Sequence, residues 1–115
     1  MEYIDALEKL KSFNKKYQFV YDMIKNGKSF KEIIAFLIEN NSKIRDKTKN
    51  ELLLILNKLN SEKEIFIFFI VHVLKYDYNF AREYADFVED CIKGKKAFTV
   101  VELNILKKKY NLYFG

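Results

Sequence analysis

Apolar residues recur along this chain at helical spacing. From Tyr3 they fall at Leu7, Leu10, Phe13, Tyr17, Val20 and Ile24, in steps of three or four, which is one face of a helix running from about Glu2 to Lys25. Asn26-Gly27 ends it, because glycine takes the left-handed conformation after a helix with little strain. A second helix, over about 30–39, presents Phe30, Ile33, Ile34, Leu37 and Ile38. The polar stretch NNSKIRDK then reads as a connection. A third helix, about 49–59, carries Leu52, Leu53, Leu56 and Leu59. A fifth, about 80–93, carries Phe80, Tyr84, Phe87, Val88 and Cys91 and stops at Gly94. A sixth, about 100–113, carries Val100, Leu103, Leu106, Tyr110 and Tyr113.

The fourth segment breaks the pattern. From Ile65 to Leu74 every residue is apolar except His72, the one histidine of the chain. A run of ten residues, nine of them apolar, is too short for a membrane span, which needs about 20. β-Branched and aromatic residues favour a strand locally. Yet every neighbouring segment reads as helix, and a lone strand has no partner for its backbone groups. The segment is therefore expected as a helix over about 62–76, apolar all round and packed on several sides.

Helix starts are marked by Ser and Thr. In four places a Ser or Thr stands three residues before a glutamate and just ahead of an apolar run: Ser29–Glu32, Thr48–Glu51, Ser61–Glu64 and Thr99–Glu102. This is the capping box, in which the hydroxyl accepts the N3 amide proton and the glutamate reaches back to the cap amide. Phe98 and Leu103 add a hydrophobic staple to the last. Ser29–Ile38 and Ser61–Ile70 share six of ten residues. No third copy follows, and a solenoid needs at least three. The expectation is an all-α bundle of five to six helices around a central apolar helix, forming one domain over residues 1–115.

Composition adds the charge and the compartment. There are 21 Lys+Arg against 16 Asp+Glu, a net charge of +5. Lys, Asn, Ile, Phe and Tyr supply 60 of the 115 residues, and Pro and Trp are absent. An AT-rich genome, such as that of a low-GC microbe or its phage, generates this bias whatever the function, so part of the positive charge carries no message. Cys91 is the only cysteine. With no disulfide possible and no basic-then-apolar leader at the N-terminus, the cytoplasm is the expected location.

Candidate chemistry is thin. Cys91 becomes a nucleophile only with His72 in hydrogen-bond reach; the ordinary readings are a core cysteine and a core or rim histidine. No CxxC, HExxH or ExxH spacing is present, and no glycine-rich phosphate loop. The sequence thus supplies no catalytic, cofactor-binding or metal-ligating constellation. Glu83, Asp86 and Asp90 share one side of the fifth helix and read as a solvated acidic face or as a contact for a basic partner.

Two binding readings remain. Tyrosine brings apolar area with a polar tip to interfaces, and Tyr17 and Tyr21 lie one turn apart near Lys16 and Lys25. These four are the candidate protein interface of a small regulator, inhibitor or adaptor that occupies a surface of another protein or nucleoprotein complex. The alternative is a nucleic-acid binder using lysines as point charges on phosphates. Its candidates are Lys43, Arg45, Lys47 and Lys49 in the polar connection, Lys93, Lys95 and Lys96 in the turn before the last helix, and Lys107 and Lys108 near its end. Tyr76 and Tyr78 would stack on unpaired bases, although the ordinary reading of this aromatic run is a hydrophobic corner. Val100, Val101 and Glu102 open the last helix and are poor base readers.

Overall fold

The computed structural model describes residues 1–10 and 19–112, the side chains of Phe19 and Tyr21 excepted. Seven helices and no strand occur among the described residues: α1 (Tyr3–Glu8), α2 (Phe19–Lys25), α3 (Phe30–Glu39), α4 (Asp46–Lys58), α5 (Glu62–His72), α6 (Tyr78–Ile92) and α7 (Val100–Lys109). The caps account for most of the starts. Ser29 Oγ accepts from the Glu32 amide at 3.1 Å, and the Glu32 carboxylate accepts in return from the Ser29 amide at 3.3 Å. Ser61 Oγ accepts from the Glu64 amide and Thr99 Oγ1 from the Glu102 amide. After α2 and α6, Gly27 and Gly94 take φ of 77° and 76°, the left-handed region expected of them.

Several boundaries differ from the sequence pattern, each for a local reason. The first helix ends at Glu8, and residues 11–18 of the span expected to reach Lys25 lie outside the described residues. After Glu8 the Lys9 amide donates to the Ala6 carbonyl and the Leu10 amide to the Leu7 carbonyl. These tighter bonds close the helix while keeping both Leu7 and Leu10 in the core. α4 begins at Asp46, with Arg45 at the cap, so the Thr48–Glu51 pair falls inside the first turns. The Asp46 carboxylate sits where the helix dipole favours negative charge. α6 begins at Tyr78 because Asp77 Oδ1 accepts from the Asn79 and Phe80 amides at 2.8 and 3.1 Å. α7 ends at Lys109, before Asn111 turns left-handed with φ 59°.

The helices alternate in direction. Lys31 Nζ donates to the Asn57 carbonyl and Lys49 Nζ to the Glu39 carbonyl, which places α4 antiparallel to α3. Lys63, at the start of α5, meets Asp86 and Glu89 in the second half of α6, and Lys109, at the end of α7, meets Glu83. Both pairs are therefore antiparallel. One end of the bundle gathers the starts of α3, α5 and α7; the opposite end gathers the α3–α4 connection, the α5–α6 connection and the close of α7.

α5 is the centre. It packs on α1, α3, α4 and α6, and Ile65, Phe66, Phe68, Phe69 and Ile70 are buried, with Ile67 and Val71 half-buried. The helical reading of the apolar run holds. The helix stops at His72, four residues short of the expected limit, and Lys75 adopts φ 65° while the Tyr76 amide donates to the Ile70 carbonyl. One core joins all seven helices. Among the described residues no polar or charged residue is buried in it, but the fully buried Tyr84 carries a hydroxyl into it. That hydroxyl donates to the Ala6 carbonyl at 2.7 Å and so fixes α1 against α6; burial raises its pKa.

Lys75 holds a conformation that costs a side-chain-bearing residue about 1 kcal/mol. Lys75→Gly is expected to raise unfolding stability by up to about 1 kcal/mol, whereas glycine at Glu51, exposed inside α4, lowers it by about as much. Urea titration of the two variants checks the pair.

Candidate functional site

α6 places Glu83, Asp86, Glu89 and Asp90 along one side, and the fold answers each with a lysine. Lys109 Nζ lies 2.7 Å from Glu83, Lys63 Nζ 2.6 Å from Asp86 and 3.2 Å from Glu89, and Lys96 Nζ 3.9 Å from Asp90. Lys93 adds a longer contact to Glu89. Beside them a groove of about 240 Å³ between α6 and α7 is lined by Glu83, Asp86, Asp90, Glu102 and Lys96 over Phe87 and Leu106. The acidic face is thus bridged from within the chain, and its lysines tie α5 and α7 to α6. No group of three His, Cys, Asp or Glu residues among those described is placed to hold a metal ion.

His72 and Cys91 stand at opposite ends of the bundle, since α5 and α6 run antiparallel and each residue lies in the last turn of its helix. His72 is exposed, its ring 5.3 Å from that of Phe68. Cys91 is half-buried, and burial first, with Asp90 adding, pushes its thiol above the ordinary value. That is the reverse of the shift that activates a cysteine nucleophile.

The basic candidates separate into two groups. Lys93, Lys95 and Lys96 lie in the α6–α7 turn, and Lys93 and Lys96 are engaged with Glu89 and Asp90. Lys43, Arg45, Lys47 and Lys49 lie around the α3–α4 connection, at the same end as Lys107 and Lys108. The length of α6, about 22 Å at 1.5 Å per residue, stands between the two groups. Lys49 is committed to the Glu39 carbonyl, one of the acceptors left over at the end of α3. Among the described residues, Lys43, Arg45, Lys47, Lys95, Lys107 and Lys108 meet no carboxylate.

The aromatic pair also divides. Tyr76 is half-buried against Phe80, ring centroids 5.4 Å apart, and Phe80 packs on Tyr84 and Tyr110. This is the hydrophobic corner. Tyr78 is 53% exposed, with the Arg82 guanidinium 5.9 Å from its ring centre. Lys16, Tyr17 and the Tyr21 side chain lie outside the described residues; Lys25 is exposed at the end of α2.

The structure brings forward residues that the periodicity set aside. Val100, placed by spacing on the inner face of the last helix, is 60% exposed, and Val101 and Ile105 are 67% and 57% exposed. The inner face belongs to Leu103, with Leu106 and Tyr110 half-buried beside it. Leu54 and Ile55 stand out from α4 in the same way. A signal was present: these aliphatic residues lie about a quarter-turn or more off the buried stripe of their helices.

The Lys63 hub gives a pH-dependent test. Its hydrogen bond to Asp86 raises the Lys63 pKa, opposed by burial and aided by Glu89. A raised lysine contributes stability that is fully present below its ordinary pKa and is lost as pH rises through the folded value. Lys63→Met is expected to lose about 0.5–1 kcal/mol at neutral pH, the scale of a partly solvated ion-pair network. The gap from the unsubstituted chain should close as pH climbs through the lysine range; a gap independent of pH would assign the loss to packing. No family model, curated protein or solved structure matches this chain.

Proposed function

We propose that this is a non-enzymatic helical interaction protein, a regulator, inhibitor or adaptor that acts in the cytosol by occupying a surface of another protein or nucleoprotein complex. The observation that carries the reading is the outward face of α7, where Val100, Val101 and Ile105 are more than half exposed on one ten-residue helix. Single exposed aliphatic residues are common on protein surfaces; a neighbouring set points to a partner. The separation of His72 from Cys91, and the raised Cys91 thiol, support the same reading by removing the one nucleophile–base pair that the composition offered.

A second reading, nucleic-acid backbone binding, rests on the end of the bundle where Lys43, Arg45 and Lys47 meet no carboxylate and Tyr78 is exposed. Backbone binding falls steeply with salt, because each neutralised phosphate releases counterions.

Affinity capture from lysate of the source cell, with and without nuclease, separates the two. The interaction reading predicts a protein retained after nuclease and lost on Tyr17→Ala/Tyr21→Ala or Val101→Ser/Ile105→Ser, with the fold intact by circular dichroism. Retention of RNA or DNA only, weakening sharply between low and moderate salt, would favour the second reading. No retained protein in either condition would defeat the first.

A further inference from the structure

We infer that the outer face of α7 is a docking strip for an acidic amphipathic helix of a partner protein. The inference rests on the interaction reading and names the chemistry of the partner.

The strip has two unlike halves. Val101 and Ile105 are one turn apart, and Lys108 continues the same outward line three residues on. Val100 flanks the apolar half. Lys107, half-buried and about 100° round the helix from Lys108, joins it in lining a groove of about 330 Å³ with Asn104 and Leu112. The third lysine of this turn, Lys109, points elsewhere and is bound to Glu83 at 2.7 Å. Glu83, Asp86, Glu89 and Asp90 on α6 are already bridged to other lysines, and among the described residues no carboxylate meets Lys107 or Lys108. A fitting occupant lays aliphatic or aromatic side chains on Val101 and Ile105 and, one to two turns further along, carboxylates on Lys107 and Lys108. An amphipathic helix seated by its apolar stripe has this form.

Other occupants match the strip less well. A second copy would bring another lysine-rich face of a chain with net charge +5 against the same lysines. A nucleic-acid backbone would set phosphates against two valines and an isoleucine. A lipid surface would meet three small aliphatic side chains with no aromatic residue among them, where interfacial helices carry larger apolar groups.

The test uses the full chain and a fluorescein-labelled 15-residue helical peptide with leucine at every third and fourth position and glutamate between. A counterpart with lysine in place of glutamate, vesicles containing phosphatidylserine, and sedimentation of the protein alone complete the set. Anisotropy should report binding of the glutamate peptide and at least tenfold weaker binding of the lysine peptide. Ile105→Glu and Lys107→Glu/Lys108→Glu should each weaken the glutamate peptide at least tenfold. Lys58→Glu, on α4, should leave it within twofold. Absence of binding, equal binding of both peptides, or indifference to Ile105→Glu would overturn the proposal. So would vesicle binding without peptide binding, or a dimer that Ile105→Glu dissolves. In parallel, lysate capture with Ile105→Glu tells the two claims apart: a protein still captured at full strength removes the strip and keeps the interaction reading.

Discussion

The burial of α5 on four sides is the constraint from which the rest of the structure follows. A helix that is apolar all round cannot sit at a surface, so the chain must wrap it. α1, α3, α4 and α6 do so directly, and each presents a stripe of Leu, Ile, Phe or Tyr at helical spacing. Because the first turn of α5 carries Glu62, Lys63 and Glu64, the helix has one charged end, and Lys63 uses it to reach Asp86 and Glu89 on α6. Apolar burial sets which helices are neighbours. The lysine bridges add to the alignment of α5, α6 and α7, at the modest energies of partly solvated pairs.

This arrangement determines what remains for a partner. The carboxylates of α6 are bridged internally, so the acidic side of the molecule has little left to offer. Lys43, Arg45, Lys47, Lys107 and Lys108, which meet no carboxylate among the described residues, sit at the α3–α4 connection and the close of α7. Among the described residues the core holds no buried charge and no helix is long and apolar enough to cross a membrane. α7 rests chiefly on α6 and leaves Val100, Val101 and Ile105 more than half exposed.

Local signals were legible in the sequence wherever a residue acts on its own neighbourhood. Ser29, Ser61 and Thr99 announced their helices because a cap bonds to an amide three residues away. Gly27 and Gly94 announced their turns through their own backbone. Asp77 was missed because an aspartate cap with no glutamate at N3 lacks the box signature. Thr48 misled because its box competed with Asp46 at the positive end of the helix. The end of α1 at Glu8 carries neither glycine nor proline, and the periodic stripe continues past it. The central helix was readable from its Ser61 cap and by elimination, although Ile65 to Val71 favours a strand by residue type. The candidate site was less legible, because charge partners depend on topology. Nothing in the order of residues showed that Lys63 and Lys109 would meet Asp86 and Glu83. Val100 was misplaced because its spacing to Leu103 fits an inner stripe whose centre lies nearer Leu103, Leu106 and Tyr110.

Native-state hydrogen exchange tests the central claim most directly. If α5 is the enclosed pillar, the amides from Phe66 to Ile70 exchange only through global unfolding and are the slowest in the protein, with those of α4 and α7 opening sooner. Amides of α5 that exchange as fast as or faster than those of α4 and α7 would contradict the account.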